Sequence, residues 1–81
     1  MTPDPKNPMF FIRKYVFGTT QIGFSNMVGV SQPTIVEWEQ KGYCHWNEQV
    51  LIHNLARRLK LDWSPEFFFE IPSNWRSRYG G

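Results

Sequence analysis

Few side chains in this chain of 81 residues could bind a soft metal or act as a nucleophile. They are Cys44, His45 and His53, and the first two are neighbours in sequence. A zinc site needs pairs of Cys or His ligands at characteristic spacings, which these three residues do not offer. The chain also has no glycine-rich phosphate loop and no paired carboxylates at a plausible cleft. We therefore predict no catalytic site, no metal and no cofactor, and we do not expect an enzyme.

The composition is typical of one small folded domain. Hydrophobic residues make up 41% and aromatic residues 17% of the chain, which is enough apolar surface to offset the entropy of ordering. The net charge of +2 is compatible with a nucleic-acid partner but hardly indicates one. A single cysteine, no apolar run of 18 residues and no signal-peptide pattern predict a soluble, cytoplasmic protein without a membrane or disulfide partner.

Helix start and stop signals recur along the chain and predict an all-α domain of four to five helices. Residues 1–8 contain three prolines and are predicted to form a flexible arm that ends with Asn7 as a cap and Pro8 at the first helical position. Helices are predicted over 9–17, 21–28, 32–40 and 46–61, with glycines at the ends of the first three and caps at Thr20 and Ser31. The fourth helix has a predicted core stripe of Val50, Leu51, Leu55, Ala56 and Leu59.

A short fifth helix is predicted after Ser64-Pro65, so the domain spans residues 9–71. Residues 72–81 are predicted to be a tail without regular structure. Three alternatives remain open for this tail: a basic and aromatic DNA contact, a strand-like dimer arm, or a frayed end, which is the default for a terminus.

The segment from Gln21 to Trp38 carries the most specific pattern. Two helices that cross steeply need a small residue at their closest approach, a glycine in the turn, and apolar residues at defined offsets. All seven such positions are acceptably filled, by Phe24, Ser25, Val28, Gly29, Val30, Ile35 and Trp38. The spacing therefore predicts a helix-turn-helix.

Arg13-Lys14, Thr20-Gln21, Gly29-Val30-Ser31 and Ile35-x-x-Trp38-Glu39 resemble the Cro/repressor-type (lambda-repressor-like) helix-turn-helix family. The resemblance covers about residues 9–62. It implies a transcriptional regulator, most often a repressor or autorepressor, that binds an inverted-repeat DNA operator as a homodimer without a small-molecule effector. It also implies association with the nucleoid. Thr19, where the family usually has leucine, and Gly23, which weakens its helix by about 1 kcal/mol, depart from the family pattern.

The resemblance also implies roles for individual residues. The base-reading residues would be Gln32, Pro33, Val36 and Glu37. The residues that contact the DNA backbone would be Lys14, Gln21, Ser31, Thr34, Gln40 and Lys41. Glu37 has two open interpretations, a base contact or a solvated side chain. Glu39 is expected to be a structural partner of a helix N-terminus or of a cation such as Arg13.

The segment from Trp63 to Phe69 is too apolar for an exposed terminus. A four-helix core of this size does not readily absorb all its rings, so we expect a partner to cover part of them. The predicted dimer interface is Trp63, Phe67, Phe68, Phe69 and Ile71, and the alternative is an intramolecular core. This Trp/Phe-rich surface also supports an alternative function, a protein-interaction module such as an antitoxin or adaptor.

Overall fold

Helices account for all the regular structure of residues 4–80, the part of the chain that the computed structural model describes. In chain order they are α1 (Pro8–Phe11), a π-helical turn (Ile12–Val16), α2 (Gln21–Val28), α3 (Gln32–Lys41), α4 (Trp46–Arg58), a 3₁₀ turn (Pro65–Phe68) and α5 (Trp75–Tyr79). These residues contain no strand, so the all-α prediction is confirmed. Their Cα radius of gyration of 11.7 Å matches the roughly 12 Å expected for a folded chain of this length.

The first helix begins, and α2 and α3 begin and end, where the local signals predicted. The side chains of Asn7, Thr20 and Ser31 each accept a hydrogen bond from the backbone N–H three residues on, at 3.0, 3.0 and 3.4 Å. Gly29 and Gly42 end α2 and α3 with φ of 89° and 87°, a conformation that costs glycine little because it has no Cβ. Contacts within three or four residues therefore determine where these helices begin and end.

The fourth helix differs from its prediction in length and in orientation. It ends at Arg58 rather than near residue 61. Its buried face is Ile52, Leu55 and Ala56, whereas the predicted core residues Val50, Leu51 and Leu59 are exposed. Apolar residues occupy most of the circumference of this helix, so the periodicity allowed more than one stripe. Packing selected the stripe that contains Ile52, which is fully buried.

One hydrophobic core connects every helical element. Its members come from each end of the chain and are Met9, Phe11, Ile12, Val16, Phe24, Ile35, Trp38, Cys44, Ile52, Phe67, Phe68 and Trp75. The ring of Phe11 lies at its centre, in edge contact with Phe67 at 5.5 Å and with Tyr79 at 5.3 Å between ring centroids. Aromatic pairs in this geometry add to the stabilisation that burial provides.

Part of the predicted tail is helical, and the described part of the predicted arm contacts that helix. α5 packs on the core through Trp75, and Arg78 pairs with Asp62 at 2.6 Å. Asp4 pairs with Arg76 at 2.9 Å, so the beginning of the described chain lies against α5. Aromatic burial drives this docking, and the ion pairs add orientation. Residues 1–3 of the predicted arm and residue 81 of the predicted tail lie outside the described residues.

Candidate nucleic-acid interface

The candidate interface is built on α2, the turn after it, and α3. Gly29 and Val30 both donate backbone N–H groups to the carbonyl of Ser25, at 2.8 and 3.0 Å, which closes the end of α2. Ser31 then caps α3. Phe24 and Ser25 of α2 are buried, and α3 buries Ile35 and Trp38 in the same core. The turn and the shared core together fix the orientation of α3 relative to the rest of the domain.

One face of α3 points to solvent. Gln32, Pro33, Glu37 and Gln40 are exposed and Val36 is half-buried. These five residues line a single open concavity on the protein surface. The structure thus brings together all four residues predicted to read bases, with Gln40 beside them. Ile35 and Trp38 lie on the other side of the helix, in the core, as expected.

The acidic charge on this face is compensated within the helix. Lys41 Nζ lies 3.2 Å from Glu37 Oε1, and the two residues are one helical turn apart. Both side chains are about half exposed, so this pair is a weak, salt-sensitive contact that a polyanion could rearrange. The positive charge of Lys41 therefore balances the negative charge of Glu37 on the exposed face of α3.

A buried ion pair holds α3 against the π-helical turn. Arg13 donates from Nε to Glu39 Oε2 at 2.5 Å and from Nη2 to Oε1 at 3.1 Å. Its remaining nitrogen Nη1 donates to the carbonyl of Thr19 at 3.0 Å. Asn7 Nδ2 donates to the backbone carbonyl of Glu39 at 2.5 Å. The expectation that Glu39 pairs with Arg13 is confirmed.

The residues predicted to contact the DNA backbone have mixed surroundings. Gln40 and Lys41 are exposed on α3, and Lys14 is exposed on the π-helical turn. Ser31 and Thr34 share a 2.9 Å hydrogen bond between their hydroxyl groups at the start of α3. Gln21 is half-buried and donates from Nε2 to Glu39 Oε1 at 3.3 Å, so one of its N–H donors is already used within the protein.

A second cation, Lys6, was missed by the sequence prediction. The ammonium groups of Lys6 and Lys14 lie 5.5 and 5.6 Å from the ring centroid of Phe10. Within residues 4–80, four of the nine Lys and Arg side chains form ion pairs. Lys6 and Lys14 are among the five that form none there. Lys6 precedes the Asn7 cap and lies outside α1, so the periodicity of the helix gave no signal for its position. Lys6 and Lys14 thus form a positively charged group beside α1.

The predicted dimer residues separate into core and surface. Phe67 and Phe68 are only 4% and 6% exposed, so their assignment to a subunit interface is corrected: the domain's own core absorbs them. Trp63 is half-buried and donates from Nε1 to His53 Nδ1 at 2.9 Å, and Ile71 is also half-buried. Phe69 is 76% exposed.

The remaining groups that could do chemistry are separated or shielded. No three His, Cys, Asp or Glu side chains of residues 4–80 converge into a group that could hold a metal ion. Burial, with a smaller contribution from Glu48, raises the pKa of the Cys44 thiol to about 12. None of the helices in that part of the chain has the length and apolarity needed to cross a membrane.

Comparison with protein-family models, with curated proteins and with solved structures found no match.

Proposed function

We propose that the protein is a sequence-specific DNA-binding regulator of transcription, in which α2 and α3 act as a helix-turn-helix and two copies bind an inverted repeat. The observation that carries this proposal is the exposed face of Gln32, Pro33, Val36, Glu37 and Gln40 on a helix whose other face is anchored in the core. A major groove about 12 Å wide accepts one α-helix, and a rigidly held helix presents its side chains there in a fixed register.

The side chains of this face suit base recognition. The Gln32 amide can pair with N6 and N7 of adenine, and a glutamate such as Glu37 can accept from N4 of cytosine. Pro33 and Val36 offer apolar surface for a thymine methyl group. We expect Glu37 to contact a base only after Lys41 has moved from the carboxylate to a phosphate. The 3.2 Å pair would then be exchanged during binding.

Phosphate contacts in this proposal come mainly from outside the reading face. Lys41 lies beside Glu37 on α3, Lys6 and Lys14 lie at the ring of Phe10 beside α1, and Ser31, Thr34 and Gln40 supply polar groups. Three neutralised phosphates per subunit give a salt slope of about −5 for a dimer. Affinity would therefore depend less on salt than it does for regulators with more basic surfaces.

A selection from a random double-stranded DNA library at low salt tests the proposal. We expect an enriched inverted repeat, with half-site centres about 34 Å apart so that both copies bind one side of the duplex. Gln32→Ala should relax the preference at one base position and weaken binding by roughly 1–3 kcal/mol. Asn47→Ala removes an exposed amide from the first turn of a different helix, α4, and is the matched control. Failure to enrich any sequence would refute the function.

Lys14→Ala separates backbone contacts from base contacts in the same assay. It should weaken binding to all sequences alike and reduce the magnitude of the salt slope by about 1 per subunit, without altering the selected half-site. Arg58→Ala removes an exposed positive charge from the end of α4 and should leave both the affinity and the slope unchanged. A changed half-site in Lys14→Ala would contradict the assignment.

A second candidate function is that of a protein-interaction module. The observation in its favour is exposed aromatic surface on the side of α4, where Trp46 is 72% and Phe69 76% exposed. Binding of a partner protein, combined with no salt-sensitive DNA binding, would favour this function over DNA recognition.

A further inference from the structure

A shallow apolar groove separates the first half of α4 from the 3₁₀ turn. Its lining residues are Trp46, Gln49, Val50, His53, Pro65, Phe68 and Phe69. Trp46 stands on one wall and Phe69 on the other, and both rings are mostly exposed. Two large rings on the rims of one groove form a surface whose burial against a partner would be favourable.

We infer that this groove is where a second copy of the same chain binds. The inference rests on the proposed function for the existence of a dimer, and it specifies the surface: the first half of α4, which was not predicted, together with Phe69 from the predicted interface. A two-fold interface uses the same patch on both copies, so the patch must be complementary to itself. The charges and the area around the groove satisfy that condition.

Unpaired charges of opposite sign lie beside residues that line the two walls. Arg57 lies one turn beyond His53 on α4, while Glu66 follows Pro65 and Glu70 follows Phe69 in sequence. All three charged residues are exposed and form no ion pair within residues 4–80. A two-fold rotation about an axis along the groove places the α4 wall of one copy over the 3₁₀ wall of the other. Arg57 then faces the acidic residues of its partner.

The aromatic area supplies part of a dimer contact. A large aromatic ring offers about 150–250 Å². With exposures of 72% and 76%, Trp46 and Phe69 together offer roughly 220–370 Å² per copy. A stable interface needs about 800 Å² per partner, so these two rings supply between a quarter and a half of it. The half-exposed side chains along the walls extend the same surface.

Sedimentation equilibrium of the full chain, without DNA, tests the inference. We expect a dimer of two 9.7 kDa chains whose dissociation constant rises about 30-fold in Phe69→Ser and in Trp46→Ser. Tyr43→Ser removes an aromatic ring that is 53% exposed and lies outside the groove, and it should leave the constant unchanged. A wild-type chain that stays monomeric at millimolar concentration, or groove variants that dimerise as tightly as wild type, would overturn the inference.

Charge exchange gives a test that does not depend on removing aromatic surface. Arg57→Glu, and separately Glu66→Lys combined with Glu70→Lys, should each weaken self-association about fivefold or more. Mixing the two variants should restore a mixed dimer, because every wall then faces its opposite charge. Absence of a mixed dimer would contradict the proposed pairing of walls.

The outcomes for the groove and for the function are separable. A monomer that selects a specific DNA site would overturn the groove and leave the function standing. A dimer that selects no site would support the groove and overturn the function. If an amphipathic helical peptide bound the groove of a chain that never self-associates, the groove would be a docking site for a different protein, and the inference would be wrong.

Discussion

The buried pair of Arg13 and Glu39 permits the sharpest stability prediction. Its side chains are 11% and 3% exposed, and the carboxylate is bound by two nitrogens of the guanidinium group. Removing one partner leaves a buried charge without its counter-ion, which costs about 3–5 kcal/mol. We expect losses of this size for Arg13→Ala and for Glu39→Ala.

The loss should be visible in thermal unfolding. Each kcal/mol shifts the midpoint by about 4–8 °C in a domain of this size, so either single variant should lose at least about 12 °C. The double variant Arg13→Leu, Glu39→Leu removes both charges and refills the site with apolar atoms. It should be more stable than either single variant, because no uncompensated charge remains.

Urea unfolding followed by tryptophan fluorescence and by circular dichroism measures these differences, and coincident transitions would support two-state behaviour. Lys41→Ala breaks the exposed pair with Glu37 and is the control, with an expected change below about 1 kcal/mol. If the losses in the two single variants added up in the double variant, the reasoning about an uncompensated buried charge would be refuted.

Three further predictions concern other sites. Gly23→Ala should not give the usual gain of about 1 kcal/mol, because the new Cβ would overlap the Thr19 hydroxyl; thermal unfolding should show the gain only when Thr19→Ala is added. The hydrogen bond from Arg78 lowers the pKa of Asp62, so this contact stabilises the fold above the ordinary carboxyl pKa. The stabilisation is lost as the pH falls through the lowered pKa. Asp62→Asn should therefore destabilise the fold at pH 7 but much less at about pH 2. Burial raises the pKa of Cys44 to about 12, so a thiol reagent at about pH 8 should modify it only as fast as the chain opens, as mass spectrometry can follow.

Local sequence signals were sufficient to predict most helix boundaries. The Thr20 and Ser31 caps and the glycine stops act over three or four residues, so their effect does not depend on the rest of the fold. The same holds for the exposed face of α3. The two sides of a short helix differ plainly when Ile35 and Trp38 are apolar and Gln32 and Glu37 are polar.

Packing between distant segments decided what local patterns left open. Part of the predicted tail is helical, because Trp75 and Tyr79 pack on the core and Arg76 and Arg78 form ion pairs with residues elsewhere in the chain. Whether Leu51 or Ile52 faces inward depends on which helices surround α4, since both lie on apolar stripes. Phe68 is buried in the core and Phe69 is exposed. The sequence could not predict this difference, because the two residues are neighbours of the same type.

The amino-acid sequence by itself determined the all-α class, the turn between α2 and α3, and the polar face of α3, because each arises from contacts within about one helical turn. The tertiary structure alone decided that α5 closes the core and that Trp46 and Phe69 flank one apolar groove. These arrangements join residues far apart in the chain, and their energies come from burial and charge, which depend on every element that packs around them.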